Sequence, residues 1–282
     1  LAIKGLYLQR RSEEPMRNVV ITAGTEHHAG IDPVEWLETH EGAEGVWLPV
    51  DAHGVVDLNW LAEYLANSAQ RVALISLMWV NNETGLETPI AEVTAIAAKY
   101  GIPVHSDAVA AFGHVPTNFQ SSGLSTMAIS GHKIGSPVGV GALIFARDAK
   151  LAVISHGGGQ ERGIRSGTLS APLAYTLAQA AALAEAEREV LDSRLEKFRR
   201  QIVESVMRVA PDANFTRTAH RQALTGIVLD GDVDAGQRPT DVAAEVGLCD
   251  RVVGANGAGL AHAPAFDHGA AGGGLPMFGS PL

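Results

Sequence analysis

The chain has 282 residues, 46% of them apolar, and a formal charge of −10 from 21 basic and 31 acidic side chains. That length suits a globular protein with one large domain and a smaller one, while the acidic balance, with no basic run longer than Arg199-Arg200, argues against nucleic acid or an anionic membrane as partner. The single cysteine, Cys249, excludes an internal disulfide; with no leader-like start and no apolar stretch near the roughly 20 residues of a membrane span, the cytoplasm is the expected location.

Leu1-Ala-Ile-Lys-Gly-Leu-Tyr-Leu reads as the middle of a helix, and a chain that opens there on Leu rather than Met is expected to be a piece of a longer protein. Asn18-Val-Val-Ile-Thr and Gly45-Val-Trp-Leu-Pro-Val follow as buried strands, and Asp57 to Leu65 as an amphipathic helix. Val72 to Val80 is a continuous apolar run, the pattern of a parallel strand covered on both faces, and it ends in the polar turn Asn81-Asn82-Glu83-Thr84-Gly85. Pro89 opens a helix that runs to Tyr100 and stops at Gly101. Gly101 to Asp107 and Leu124 to Lys133 each contain a further strand, so strand, turn, helix and strand repeat as βαβ units.

From Ala171 to about Val209 the chain is rich in Ala, Leu, Glu and Arg at helical spacing, long enough to join a large domain to a small one. Ala223 to Leu229 can be a strand of the small domain and Asp241 to Val246 a short helix. After Arg251 the pattern dissolves into Gly, Ala, Pro and His with no apolar period. The expected fold is α/β, with a large domain over residues 1–175 built on a mostly parallel sheet flanked by helices. A linking helix and partial α+β domain occupy 176–250, and an irregular tail 251–282.

Asp107 and Lys133 each close a predicted strand, where open α/β sheets keep their ligands. A lysine able to form a Schiff base and a carboxylate able to keep a pyridine nitrogen protonated are what pyridoxal phosphate chemistry demands. A zinc site from His105, Asp107 and His132 is the rival reading, disfavoured because Lys133 would set a cation against the metal.

Thr25-Glu-His, Asn81-Asn-Glu-Thr-Gly, His105-Ser-Asp-Ala, Ser130-Gly-His-Lys and the loop from His156 to Thr168 together resemble the cysteine desulfurases of the class V aminotransferase group, in order and spacing over residues 1 to about 170. The resemblance implies a PLP-transferase (fold type I) architecture, incomplete at its amino-terminal side, and pyridoxal 5'-phosphate as cofactor. It implies that Lys133 holds the cofactor covalently and moves a proton, that Asp107 pairs with the ring nitrogen, and that His27 stacks on the ring. Asn82 would donate to the phenolic oxygen, with Asn81 shaping the turn. Ser130 and His132 would hold the phosphate, and Thr168 would reach it from the neighbouring subunit, which implies a homodimer. The implied reaction converts L-cysteine to L-alanine and passes sulfur, as an enzyme persulfide, to an acceptor or scaffold protein for iron–sulfur cluster assembly or thio-modification.

The chain departs from that family in several places. The family's Gly-Ala-Thr-Glu phosphate loop would finish upstream of Leu1, and Ala110 stands where many relatives carry a glutamine. Cys249 lies in about the right region for the sulfur-accepting thiolate, but its surroundings, Glu245-Val-Gly-Leu-Cys-Asp-Arg, do not match; it reads either as that nucleophile or as an inert small apolar side chain. No arginine of the tail aligns with the one expected for the substrate carboxylate. From about Gly231 the pattern is lost at unchanged Gly and Ala richness, as in a frameshifted gene, which sequencing of the locus would test. Two alternatives therefore stand beside the desulfurase: a class V aminotransferase or lyase acting on another amino acid, and a noncatalytic remnant.

Overall fold

Seven consecutive residues without an exposed side chain need cover on both sides, and this chain meets that need with helices on both faces of one sheet. The structure, a computed structural model, describes residues 1–211, 214–215 and 227–228, all within the compact unit Leu1–Gly231. In chain order, its elements are α1 (Ala2–Glu13), β1 (Val19–Ala23), α2 (His28–Glu41), β2 (Glu44–Leu48), α3 (Leu58–Ser68), β3 (Val72–Met78) and α4 (Ile90–Ala98). There follow β4 (Val104–Asp107), α5 (Phe119–Ser122), β5 (Thr126–Ser130), β6 (Gly141–Phe145), α6 (Ala171–Val209), β7 (Asn214–Phe215) and β8 (Ile227–Val228).

The sheet runs β2-β1-β3-β4-β5-β6, and every neighbouring pair is parallel except β5 with β6. Alternation along the strands divides the core. Val19, Ile21, Ile75, Leu77 and Val104 face Leu61 and Leu65 of α3 and Val93 and Ala97 of α4. Val20 and Leu74 face Ile3, Leu6 and Tyr7 of α1 and Val34 and Leu37 of α2. Burying a side chain of this size removes about 1.5–3 kcal/mol of unfavourable contact with water, so these two layers hold the strand ends at fixed relative positions.

The strands expected from apolar runs form, and Asp57 caps α3 by accepting from the amides of Asn59 and Trp60, both at 2.9 Å. Several elements had no expectation, α2 and β6 among them. Helix α2 carries Pro33 in its interior and Gly30 in its first turn, residues that break a helical reading of the sequence; its burial of Val34 and Leu37 outweighs them. Strand β6 begins at Gly141, where an added Cβ would stand 2.7 Å from the Ile129 carbonyl oxygen, so glycine permits β6 to fold back antiparallel on β5. Helix α6 spans 39 residues, about 58 Å, from the Ser170 cap, whose hydroxyl accepts from the Leu173 amide. Strand β8, paired with β7, falls within Ala223–Leu229, where a strand was expected; the helix expected at Asp241–Val246 and the tail lie outside the described residues.

Candidate active site

Strands β3, β4 and β5 end side by side, with Met78 in register with Asp107 and Asp107 with Ala128. Asp107 Oδ1 accepts from the Val109 amide at 2.9 Å, and its carbonyl from the Trp79 amide at 2.9 Å. Burial pushes the Asp107 carboxyl above the usual carboxylate range, against the opposing pull of the Val109 amide and of His27. A cation arriving beside it would therefore be welcome, because the carboxylate is short of positive charge.

His27 follows β1 and caps α2, its Nδ1 accepting from the Ala29 amide at 3.0 Å, while its own amide donates to Met78 Sδ at 3.2 Å. This imidazole is thus tied at its Nδ1 to one helix and through its backbone to the end of β3. His27, exposed, and Asp107, half-buried, meet at the same strand end, since Met78, which accepts from the His27 amide, is the register partner of Asp107.

The lysine arrives from the other side. Beyond β5 the chain makes a single 3₁₀ turn, Gly131–Lys133, before returning as β6. Gly131 is buried, donates its amide to the Val140 carbonyl at 2.9 Å, and would bring an added Cβ to 2.8 Å from Ser136 Cβ; only glycine fits this close approach. Ser136 in turn reaches Thr176 of α6. His132 and Lys133 are exposed. Ser130 Oγ lies 2.7 Å from His132 Nδ1, so hydroxyl and imidazole form one polar pair beside the amine. His114 Nε2 stands 3.2 Å from the Lys133 carbonyl oxygen, where a protonated Nε2 donates to it.

The structure thus brings Asp107 and His27 together at Met78, at the end of β3, and places Ser130 at the end of β5 with His132 and Lys133 in the turn after it. Asn81 is the turn-former: its Oδ1 accepts from the amides of Glu83 and Thr84 and from Thr84 Oγ1, and its Nδ2 donates to the Thr25 carbonyl at 2.6 Å. Asn82 is exposed beside it. Ala110 packs against the core. Thr168 is exposed just ahead of α6, in a segment where Glu161 and Arg162 adopt positive φ of 48° and 57° and Arg165 donates to the Gly167 carbonyl. Cys249 lies outside the described residues. His105 is buried, with Nδ1 2.8 Å from Thr126 Oγ1 inside the sheet, while His132 is exposed beyond it; among the described residues no three metal-binding side chains converge.

Sequence reasoning named His27 but passed over its neighbour. Glu26 is half-buried, accepts from the Met78 amide through Oε1 at 2.9 Å, and is pushed up to about 8 by desolvation, with Asp107 adding to the effect. A carboxylate directly beyond an all-buried strand was the available signal.

An open, largely parallel sheet flanked by helices, as in the similar solved structures, sets the chain in the PLP-transferase (fold type I) class. The chain belongs to the aminotransferase class-V family, whose model matches residues 5–243. It is 46% identical over 231 residues to an IscS-like cysteine desulfurase of Mycobacterium tuberculosis, an overlap of 77% of this chain and 58% of that protein. A solved NifS-like protein is similar with a TM-score of 0.70 and 30% identity, over 76% of this chain and 57% of the other. The structure of SspA in complex with cysteine is similar with a TM-score of 0.65 and 29% identity, over 82% and 63%. The chain spans about half the length of the curated relatives it matches. Among the described residues, no helix is long and apolar enough to cross a membrane.

Proposed function

We propose that residues 1–175 form the cofactor-binding domain of a pyridoxal-phosphate-dependent cysteine desulfurase, which converts L-cysteine to L-alanine and hands the sulfur on as an enzyme persulfide. The observation that carries this reading is the pairing of Asp107 and Lys133 at the carboxyl ends of adjacent strands β4 and β5, in a chain whose relatives bear that name.

The donor set suits the group. Lys133 offers an exposed amine, Asp107 a half-buried carboxylate short of positive charge, and Ser130 with His132 a hydroxyl and imidazole able to face an anion. When bound, pyridoxal phosphate supplies an electron sink that weakens the bonds at the Cα of an amino acid. Asp107 would accept a charge-assisted hydrogen bond from a protonated ring nitrogen, and the cation would draw its carboxyl back toward the ionised form. His27, fixed by its two backbone ties, would present a flat face to an aromatic ring. Lys133 would bind the cofactor and then, released as an amine, hold and move the proton of the substrate Cα. Asn82 and, from a second copy, Thr168 would add donors to the ring oxygen and the phosphate.

Cys249 is the thiol proposed to receive sulfur, with a sulfur-acceptor or scaffold protein as onward partner, a homodimer as assembly and the cytoplasm as location. The deciding experiment loads the purified chain with pyridoxal phosphate. A visible absorbance band abolished by Lys133→Ala is expected, with L-alanine formed from L-cysteine, sulfide released when a dithiol is added to reduce the persulfide, and both lost in Cys249→Ser. Protein that stays colourless with added cofactor would refute the reading, and a coloured protein inert toward cysteine would point to another amino acid as substrate.

A further inference from the structure

The loop between β1 and α2 is latched three times to the end of β3. Asn81 Nδ2 donates to the Thr25 carbonyl, the His27 amide donates to Met78 Sδ, and the Met78 amide donates to Glu26 Oε1. Only the third latch uses a titratable side chain. Met78 is also the register partner of Asp107, so the two carboxyls approach the same strand end from different elements.

Two half-buried carboxyls at one strand end do not both ionise cheaply. Asp107 has the Val109 amide and the influence of His27 in favour of its anion. Glu26 has the Met78 amide alone, on Oε1, and the charge acting on it is that of Asp107. Its Oε2 lies over Gly30 in the first turn of α2, at ordinary contact distance from where a Cβ would stand. Asp107 is therefore the carboxyl that ionises first, and Glu26 the one that keeps its proton, on Oε2.

We propose that Glu26 is a positioning residue of this site: as a neutral carboxylic acid it pins the backbone of His27 to the end of β3 and leaves Asp107 as the single anion facing the cofactor. The second half of that statement rests on the pyridoxal phosphate reading above; the first does not. Glutamine has the same shape and an oxygen to accept from Met78, so it reproduces a protonated Glu26 and fails to reproduce an ionised one. Burial, with the repulsion of Asp107, raises the Glu26 midpoint from the ordinary 4.5 to about 8. The folded chain then holds a proton that the unfolded chain releases, so the stability contributed by this group is full below about 4.5 and declines as pH rises toward about 8.

The test uses the full-length apo chain and infrared difference spectra of wild type minus Glu26→Gln. A carboxylic-acid C=O band present at pH 7 and titrating near 8 is expected, together with denaturant midpoints that fall from pH 5 to pH 8 in wild type relative to Glu26→Gln. In chain loaded with pyridoxal phosphate, Glu26→Gln should restore most of the cofactor affinity lost severalfold in Glu26→Ala. Absence of the band at pH 7, or a glutamine variant as defective as the alanine one, overturns the proposal. Colourless wild-type protein that still shows the band defeats the cofactor reading and leaves the neutral latch standing.

Discussion

On the β1–β3–β4 side of the candidate site, the functional groups are carboxyls and an imidazole held by backbone amides: Asp107 by Val109, Glu26 by Met78, His27 by Ala29. On the β5–β6 side, His132 and Lys133 stand exposed on a one-turn connection whose geometry is set by a buried glycine. The difference is one of dielectric surroundings. Desolvation raises the two carboxyls of the first group, whereas the second keeps an accessible amine that can exchange one bonding partner for another. A site of this design fixes its electrostatics in the sheet and leaves its chemistry to a turn.

The sharpest break of that contrast is Lys133→Ala. Because the side chain is exposed, its loss is expected to remove the cofactor-dependent absorbance and all turnover while leaving the circular dichroism and melting temperature of the apo chain unchanged. Asp107→Asn tests the opposite side. It removes a charge-assisted hydrogen bond worth about 1.5–3 kcal/mol, or roughly 10- to 150-fold, from cofactor affinity measured by absorbance titration. Gly131→Ala should cost about 1–3 kcal/mol in denaturant unfolding through the contact with Ser136, and should disturb Lys133 from beneath without touching it.

A pH series sharpens the buried side further. Burial pushes His105 down to about 4, so the folded sheet keeps it neutral where an unfolded chain, with its midpoint near 6.5, takes up a proton. The stability it contributes is full above about 6.5 and is lost as pH falls through about 4, opposite in sign to Glu26. Denaturant midpoints should therefore fall between pH 7 and pH 4 in wild type and fall less in His105→Asn. The smallest effect belongs to the exposed side: Thr168→Ala should move unfolding by no more than about 0.5 kcal/mol, so that any loss of cofactor affinity in that variant reports contact across subunits.

The buried strands were legible because apolar runs such as Val72–Val80 have few other uses, and Asp107 and Lys133 were legible because each follows such a run. Helix α2 was not, since Gly30 and Pro33 erase its local pattern and only the contacts of Val34 and Leu37 restore it. Strand β6 escaped for a related reason: Gly141-Ala-Leu-Ile-Phe lies at a sheet edge, half-covered, without the alternation or the long run that marks a strand. Glu26 was hidden differently. Its residue type signals a solvated surface, and the proton it retains arises from burial and from Asp107, 81 positions away in the chain but adjacent in space.

Asn81 carries a consequence for the lifetime of the protein. Its Oδ1 takes three donors while its Nδ2 supplies one, to the Thr25 carbonyl. Hydrolysis of that amide, with water taken up and ammonia lost, would turn the donor into an acidic oxygen facing another oxygen. The turn would survive on its three remaining bonds, yet the tether to the segment before Glu26 would become a repulsion, so chemical ageing at one amide would loosen the acidic flank first.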